Sequence, residues 1–154
     1  MTERRVVIGI GNAYRGDDAA GLAVAERCRT RLPAEVRVLE AEQEPTRLID
    51  AWESADAVFV VDAVVSGSRA GTVHRYDATD APLPAGVFRS STHAFGVGDA
   101  VELARALGRL PRRVVVYGVE GAGFESGAPL SPAVAAAVDD VVSRLEEELC
   151  TNGR

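Results

Sequence analysis

The side chains with chemistry to offer stand at the ends of apolar runs. Asn12, Asp17 and Asp18 follow residues 5–11 (RVVIGIG), Asp62 follows 57–61 (AVFVV), and Glu120 follows 113–119 (RVVVYGV). His93 arrives at the end of a Pro-, Gly- and Ser-rich stretch, 78–92. If the runs are parallel strands, these groups share the crevice beyond the strands' carboxyl ends, where open α/β sheets bind ligands. Carboxylates and one imidazole converging there suit a borderline-hard divalent metal ion, with room for water or substrate when three protein ligands bind.

Each of these residues also has a plainer reading. Asp17 and Asp18 are neighbours, about 100° apart around a helix axis, so they cannot both face one point. Asp17 as helix cap with Asp18 facing the crevice is one arrangement; two first-turn acids favoured by the helix dipole is the other. Asp62 follows a central apolar run, where a carboxylate is costly to bury unless paired, so a functional role is favoured over a turn acid held by the N–H groups of residues 63–66. His93 is a ligand or a loop histidine. Glu120 orients His93 or a basic group, or accepts backbone hydrogen bonds in its turn. His74 is expected to be an exposed side chain on an edge strand, and 146–148 (EEE) a solvated helix face.

Two common chemistries fit poorly. Gly9, Gly11 and Gly16 miss the G-x-G-x-x-G spacing, and the acids at 17 and 18 would compete with a phosphate for the helix N-terminus. No G-x-S-x-G elbow is present to activate a serine, and Ser66 and Ser68 lie in a Gly-containing turn.

The elements that must position these groups alternate as β-α-β-α, the pattern of a mainly parallel sheet between helices. Residues 5–11, 57–61 and 113–119 are continuously apolar, as strands covered on both faces are. Residues 36–41 form a further strand, and 71–77 (GTVHRYD) alternates as an antiparallel edge strand would. Helices are expected over 17–32, with a stripe at Ala20, Val24, Cys28 and Leu32, over 45–54, over 96–108, and from Ser131 and Pro132 to the C-terminal region.

Composition narrows the function. The 154 residues, with 47% hydrophobic and 26% charged, describe one domain, 1–154, able to bury a core without disulfides or a structural metal. Two cysteines without C-x-x-C spacing and no apparent leader fit a reducing cytoplasm. No apolar run approaches the roughly 20 residues a bilayer requires. A net charge of −6 with 5% aromatics offers no basic stripe for nucleic acid. No heptad seam is visible, so a monomer is the default expectation.

The stretches VVIGIGNAYRGDDAAG, VFVVDAV, SSTHAFGVGDAVELARALG and VVVYGVEGAGFESGAPLSPAV, in this order over nearly the whole chain, resemble the hydrogenase maturation proteases. Ala19 is a departure, since relatives often carry glycine there. The resemblance implies a three-layer α/β/α fold of the phosphorylase/hydrolase-like kind with a five-stranded mixed, mostly parallel sheet. It implies an endopeptidase that removes a short C-terminal extension from the large-subunit precursor of a nickel-iron hydrogenase after nickel insertion. The family's metal-contacting triad falls on Asp18, Asp62 and His93. Nickel would then be brought by the precursor and held weakly or not at all by the free chain. Catalysis by metal-activated water and catalysis by a carboxylate, as in an aspartic-type endopeptidase, both remain open at this point. So do two other readings: a metal-sensing or chaperone module that binds the precursor without cutting it, and a small-molecule α/β hydrolase.

Overall fold

A computed structural model describes residues 3–41, 45–84 and 96–151. Five strands form one sheet: β1 (Arg5–Ile10), β2 (Arg37–Ala41), β3 (Ala57–Val64), β4 (Val73–Asp77) and β5 (Arg113–Glu120), in the spatial order β2-β1-β3-β5-β4. All neighbours pair in parallel except β4, which runs antiparallel to β5 at one edge. This is the five-stranded mixed, mostly parallel sheet expected. β1 and β3 are buried along their entire length, which explains their unbroken apolar character.

Helices cover both faces. α1 (Ala20–Arg31) and α4 (Pro132–Thr151) lie on one side, where Val24, Cys28, Val138 and Leu145 pack against Phe59, Val115 and Tyr117. α2 (Pro45–Trp52) and α3 (Val97–Ala106) lie on the other, where Leu48, Trp52, Val97 and Val101 pack against Ile8, Val60 and Val116. Cys28 and Cys150 are separate thiols, and burial pushes the Cys28 thiol up to about 11, consistent with a packing role. Among the described residues no helix is long and apolar enough to cross a membrane.

The structure corrects several expectations about the elements. The first helix does not begin at residue 17: Gly16–Ala19 form a separate 3-10 turn before α1. β3 does not stop at residue 61, because Asp62 stays in the ladder opposite Gly118 and the strand continues to Val64 opposite Glu120. The 146–148 run is not simply a solvated face either. Glu148 accepts hydrogen bonds from Tyr117 Oη, Arg75 and Arg113, fastening α4 to β4 and β5. Burial would raise its pKa, but Arg75, Tyr117 and Arg113 outweigh burial and hold the carboxyl below its ordinary value.

The detail that matters most for the carboxyl edge is how closely α1 sits on the sheet. A Cβ on Gly21 would collide with the carbonyl oxygens of Ile10 and Val61, and one on Gly9 with the Gly21 carbonyl and the Ala25 side chain. Backbone therefore lies on backbone where α1 crosses β1 and β3. Gly21→Ala is expected to destabilise the chain by about 3 kcal/mol, because the rigid carbonyls on both sides cannot yield. Urea unfolding measures it, and a midpoint equal to wild type would show that α1 is not seated this tightly.

Candidate functional site

β1 ends at Ile10, and the chain turns sharply to place two acids at the sheet's carboxyl edge. Gly11, at φ +153°, lies so close to the Asp18 carbonyl that a Cβ would strike it. The turn closes through backbone bonds from Asn12 N–H to the Asp18 carbonyl (3.3 Å), from Arg15 N–H to the Asn12 carbonyl (3.2 Å) and from Asp18 N–H to the Arg15 carbonyl (3.0 Å). The Asn12 side chain serves this turn, its Oδ1 accepting from Tyr14 N–H at 2.9 Å.

Asp17 is 1% exposed, and its side chain is not the helix cap expected of it. Its carboxylate reaches across to the loop that follows β5. Oδ2 accepts from the N–H groups of Ala122 (2.8 Å) and Gly123 (3.0 Å) and from the Ser131 hydroxyl (2.8 Å), while Oδ1 accepts from Ser131 N–H (2.8 Å). Asp17 N–H donates in turn to the Gly123 carbonyl at 2.8 Å. Burial pushes the Asp17 pKa up, but the bonds from Ser131, Gly123 and Ala122 outweigh it and hold the carboxyl below its ordinary value. Asp17 is thus the tie between the two loops that flank the edge.

Asp18 is the other acid of the pair. It is 2% exposed, and its 3-10 turn packs against β3, the strand that carries Asp62. Asp62 is 3% exposed and shares its strand face with Val60 and Val64, which pack in the α2/α3 core. His93 lies outside the described residues. The described chain resumes at Gly96, whose N–H donates to Asp99 Oδ2 (2.9 Å) at the start of α3, the helix packed on Asp62's side of the sheet.

Glu120 and His74 form a second constellation. Across the sheet, Asp62, Gly118 and His74 are opposed in register, so Asp62 and His74 share a face with a glycine between them. His74 is not the exposed edge residue expected: its side chain is 13% exposed, and Nε2 lies 3.1 Å from Glu120 Oε1. Buried Glu120 also accepts from Ser66 N–H (2.7 Å) and from the Ser66 hydroxyl (2.5 Å), holding the β3–β4 connection against β5. Because Glu120 sits between serine and imidazole, this is not a base-activated nucleophile, which needs the imidazole beside the hydroxyl. The alternation in 71–77 could have signalled that His74 and Tyr76 share a face, but not that a carboxylate waited there.

Among the described residues no group of three or more His, Cys, Asp and Glu could hold a metal ion. Asp18 and Asp62 carry hard oxygen donors, the type that divalent cations accept.

Comparison with known proteins follows the same lines. A family model described as hydrogenase maturation protease matches residues 22–148, a span that takes in Asp62 and His93 and begins after Asp18. The hydrogenase expression/formation protein HupD of Rhodobacter capsulatus is 33% identical over 150 residues, covering 96% of this chain and 71% of that protein. The hydrogenase 2 maturation protease of Escherichia coli K12 is 28% identical, with 97% and 93% covered. Among solved structures, the hydrogenase maturating endopeptidase HybD from E. coli superposes with a TM-score of 0.82 at 25% identity, over 97% of this chain and 94% of that one.

The Asp17 tie has a pH signature. Its folded pKa is depressed, so its contribution is complete above the unfolded carboxyl value of about 3.9 and disappears as pH falls through the folded value. Asp17→Asn is expected to lower stability by about 2 kcal/mol at pH 7, the worth of charge-assisted hydrogen bonds to a buried group. The difference from wild type should shrink below about pH 4. Chemical unfolding across this range measures it; a difference that stays constant down to acid pH would show that the charge on Asp17 does not hold the loops.

Proposed function

Because the chain belongs to the hydrogenase maturation protease family, and so is a hydrolase, we propose that it cleaves the C-terminal extension from a nickel-loaded nickel-iron hydrogenase large-subunit precursor. The observation that carries this reading is the pair of almost fully buried carboxylates, Asp18 and Asp62, on elements packed together at the carboxyl edge of the sheet. Carboxylates are hard oxygen donors of the type divalent cations accept. A cation delivered with its own ligands would add favourable charge beside the two carboxylates.

In this proposal Asp18, Asp62 and His93 complete the coordination of nickel that the precursor presents. Recognition is then gated by the metal, and the free chain holds it weakly. Hydrolysis adds one water across the scissile C–N bond. The attacking water must lose a proton, and the leaving amine nitrogen must gain one. A carboxylate of the pair can take the first proton and deliver it to the amine as the tetrahedral intermediate collapses. The substrate's cation supplies positive charge beside the scissile carbonyl. Asp17 and Glu120 act on the frame: Asp17 fixes the turn that presents Asp18, and Glu120 fixes the strand connection beyond Asp62.

The decisive assay mixes the chain with nickel-loaded and nickel-free precursor and follows the loss of the extension by mass spectrometry. Cleavage is expected of the loaded form alone. Asp62→Asn, nearly isosteric, should keep the fold and reduce processing at least about a hundredfold, the size of a general acid-base contribution. Equal cleavage of both precursors would refute the gate. Binding without cleavage would make the chain a metal-sensing module, and turnover of small esters or peptides instead would make it a small-molecule hydrolase.

A further inference from the structure

Tyr14 stands between β1 and the turn that carries Asp17 and Asp18, with 79% of its surface exposed. Its backbone is nevertheless held on both sides. Its N–H donates to Asn12 Oδ1 at 2.9 Å, and its carbonyl accepts from Gly127 N–H, in the loop beyond β5, at 2.8 Å. The next turn is equally constrained, because Gly16 takes φ +55° and leaves no room for a Cβ against the Gly123 backbone. An aromatic ring at the tip of a slack loop would carry little meaning. Here a constrained loop holds the ring in water, so burying it against a partner forfeits little conformational freedom.

Of the large hydrophobic side chains exposed among the described residues, Tyr14 is the most open to solvent. Val65, also exposed, immediately follows β3, the neighbour of β1, at the same carboxyl edge. Exposed aromatics of this kind supply much of the energy of protein interfaces when they enter a pocket on the partner. Tyr14 lies four positions before Asp18 and Val65 three after Asp62, so in the proposed reading a protein that brings a metal ion to these acids meets this rim.

We infer that Tyr14 is a docking anchor for the protein substrate: its ring enters an apolar pocket on the precursor beside the metal-bearing segment and sets the affinity of the encounter. This rests on the reading that the precursor is the substrate. Tyr14 makes no contact with the reacting atoms, so its contribution is to binding and not to the chemical step.

Initial rates against concentration of nickel-loaded precursor, together with calorimetric titration of the same precursor, test it on wild type, Tyr14→Ala and Tyr14→Phe. Tyr14→Ala should raise both KM and Kd about ten- to thirtyfold, the loss expected for a truncated interface aromatic, with kcat within about twofold of wild type. Its thermal midpoint should be unchanged, and Tyr14→Phe should retain near wild-type affinity. Unchanged KM and Kd in Tyr14→Ala, or a fall in kcat at constant KM, would overturn the inference while leaving the protease reading standing. A wild-type chain that binds the precursor but never cuts it would overturn the protease reading, and a Kd weakened by Tyr14→Ala would still support the anchor. A wild-type chain that neither binds nor cuts would overturn both.

Discussion

The rest of the carboxyl edge depends on the direct seating of α1 on β1 and β3. Gly21 lies against the Ile10 and Val61 carbonyls with no side chain between, and Gly9 receives the helix from below. A helix held that near gives the chain leaving β1 little space in which to reverse direction. The result is the tight turn at residues 11–19, with its positive-φ glycines and 3-10 geometry. That turn delivers two adjacent acids to one place: the Asp17 carboxylate reaches the loop after β5, and the 3-10 turn that holds both acids packs on β3.

Two neighbouring buried carboxylates repel each other and each requires compensation. Asp17 is compensated internally by three backbone N–H groups and one hydroxyl, which keep it ionised and make it structural. In the proposed reading a cation brought by the substrate meets Asp18 and Asp62. The same economy appears beyond Gly118, where Glu120 is compensated by Ser66 and His74 and so ties two strands and their connection together. The edge thus holds two acids, Asp17 and Glu120, whose bonds tie loops and strands together.

How much of this could be read from the residue string follows the range of the interactions. Strands buried on both faces show themselves as apolar runs, and 71–77 shows its edge position by alternating; both patterns are local. The α1 stripe at Ala20, Val24 and Cys28 is local as well. The role of Asp17 is not, since its partners lie 105 to 114 positions away, and nothing near residue 17 distinguishes a long-range tie from a cap. The pairing of His74 with Glu120 requires the β4–β5 register, which sequence patterns do not carry. Glu148 looked solvated for the same reason: Tyr117 and Arg75 meet it only once α4 lies on the sheet. A charge normally interrupts an apolar run, which points to a strand end at Asp62, yet the ladder continues through Asp62 opposite Gly118 to Val64. His93, singled out by its place in the loop before α3, lies outside the described residues.

The central claim is that the buried acids meet a metal ion brought by the substrate. X-ray absorption at the nickel edge, on loaded precursor alone and on its complex with this chain trapped before cleavage, addresses that claim directly. The account predicts new oxygen scatterers at about 2 Å in the complex, the distance of a carboxylate oxygen on a first-row divalent ion, with fewer of them when Asp62→Asn replaces wild type. A nickel spectrum identical in the free precursor and in a complex that goes on to cleave would contradict it.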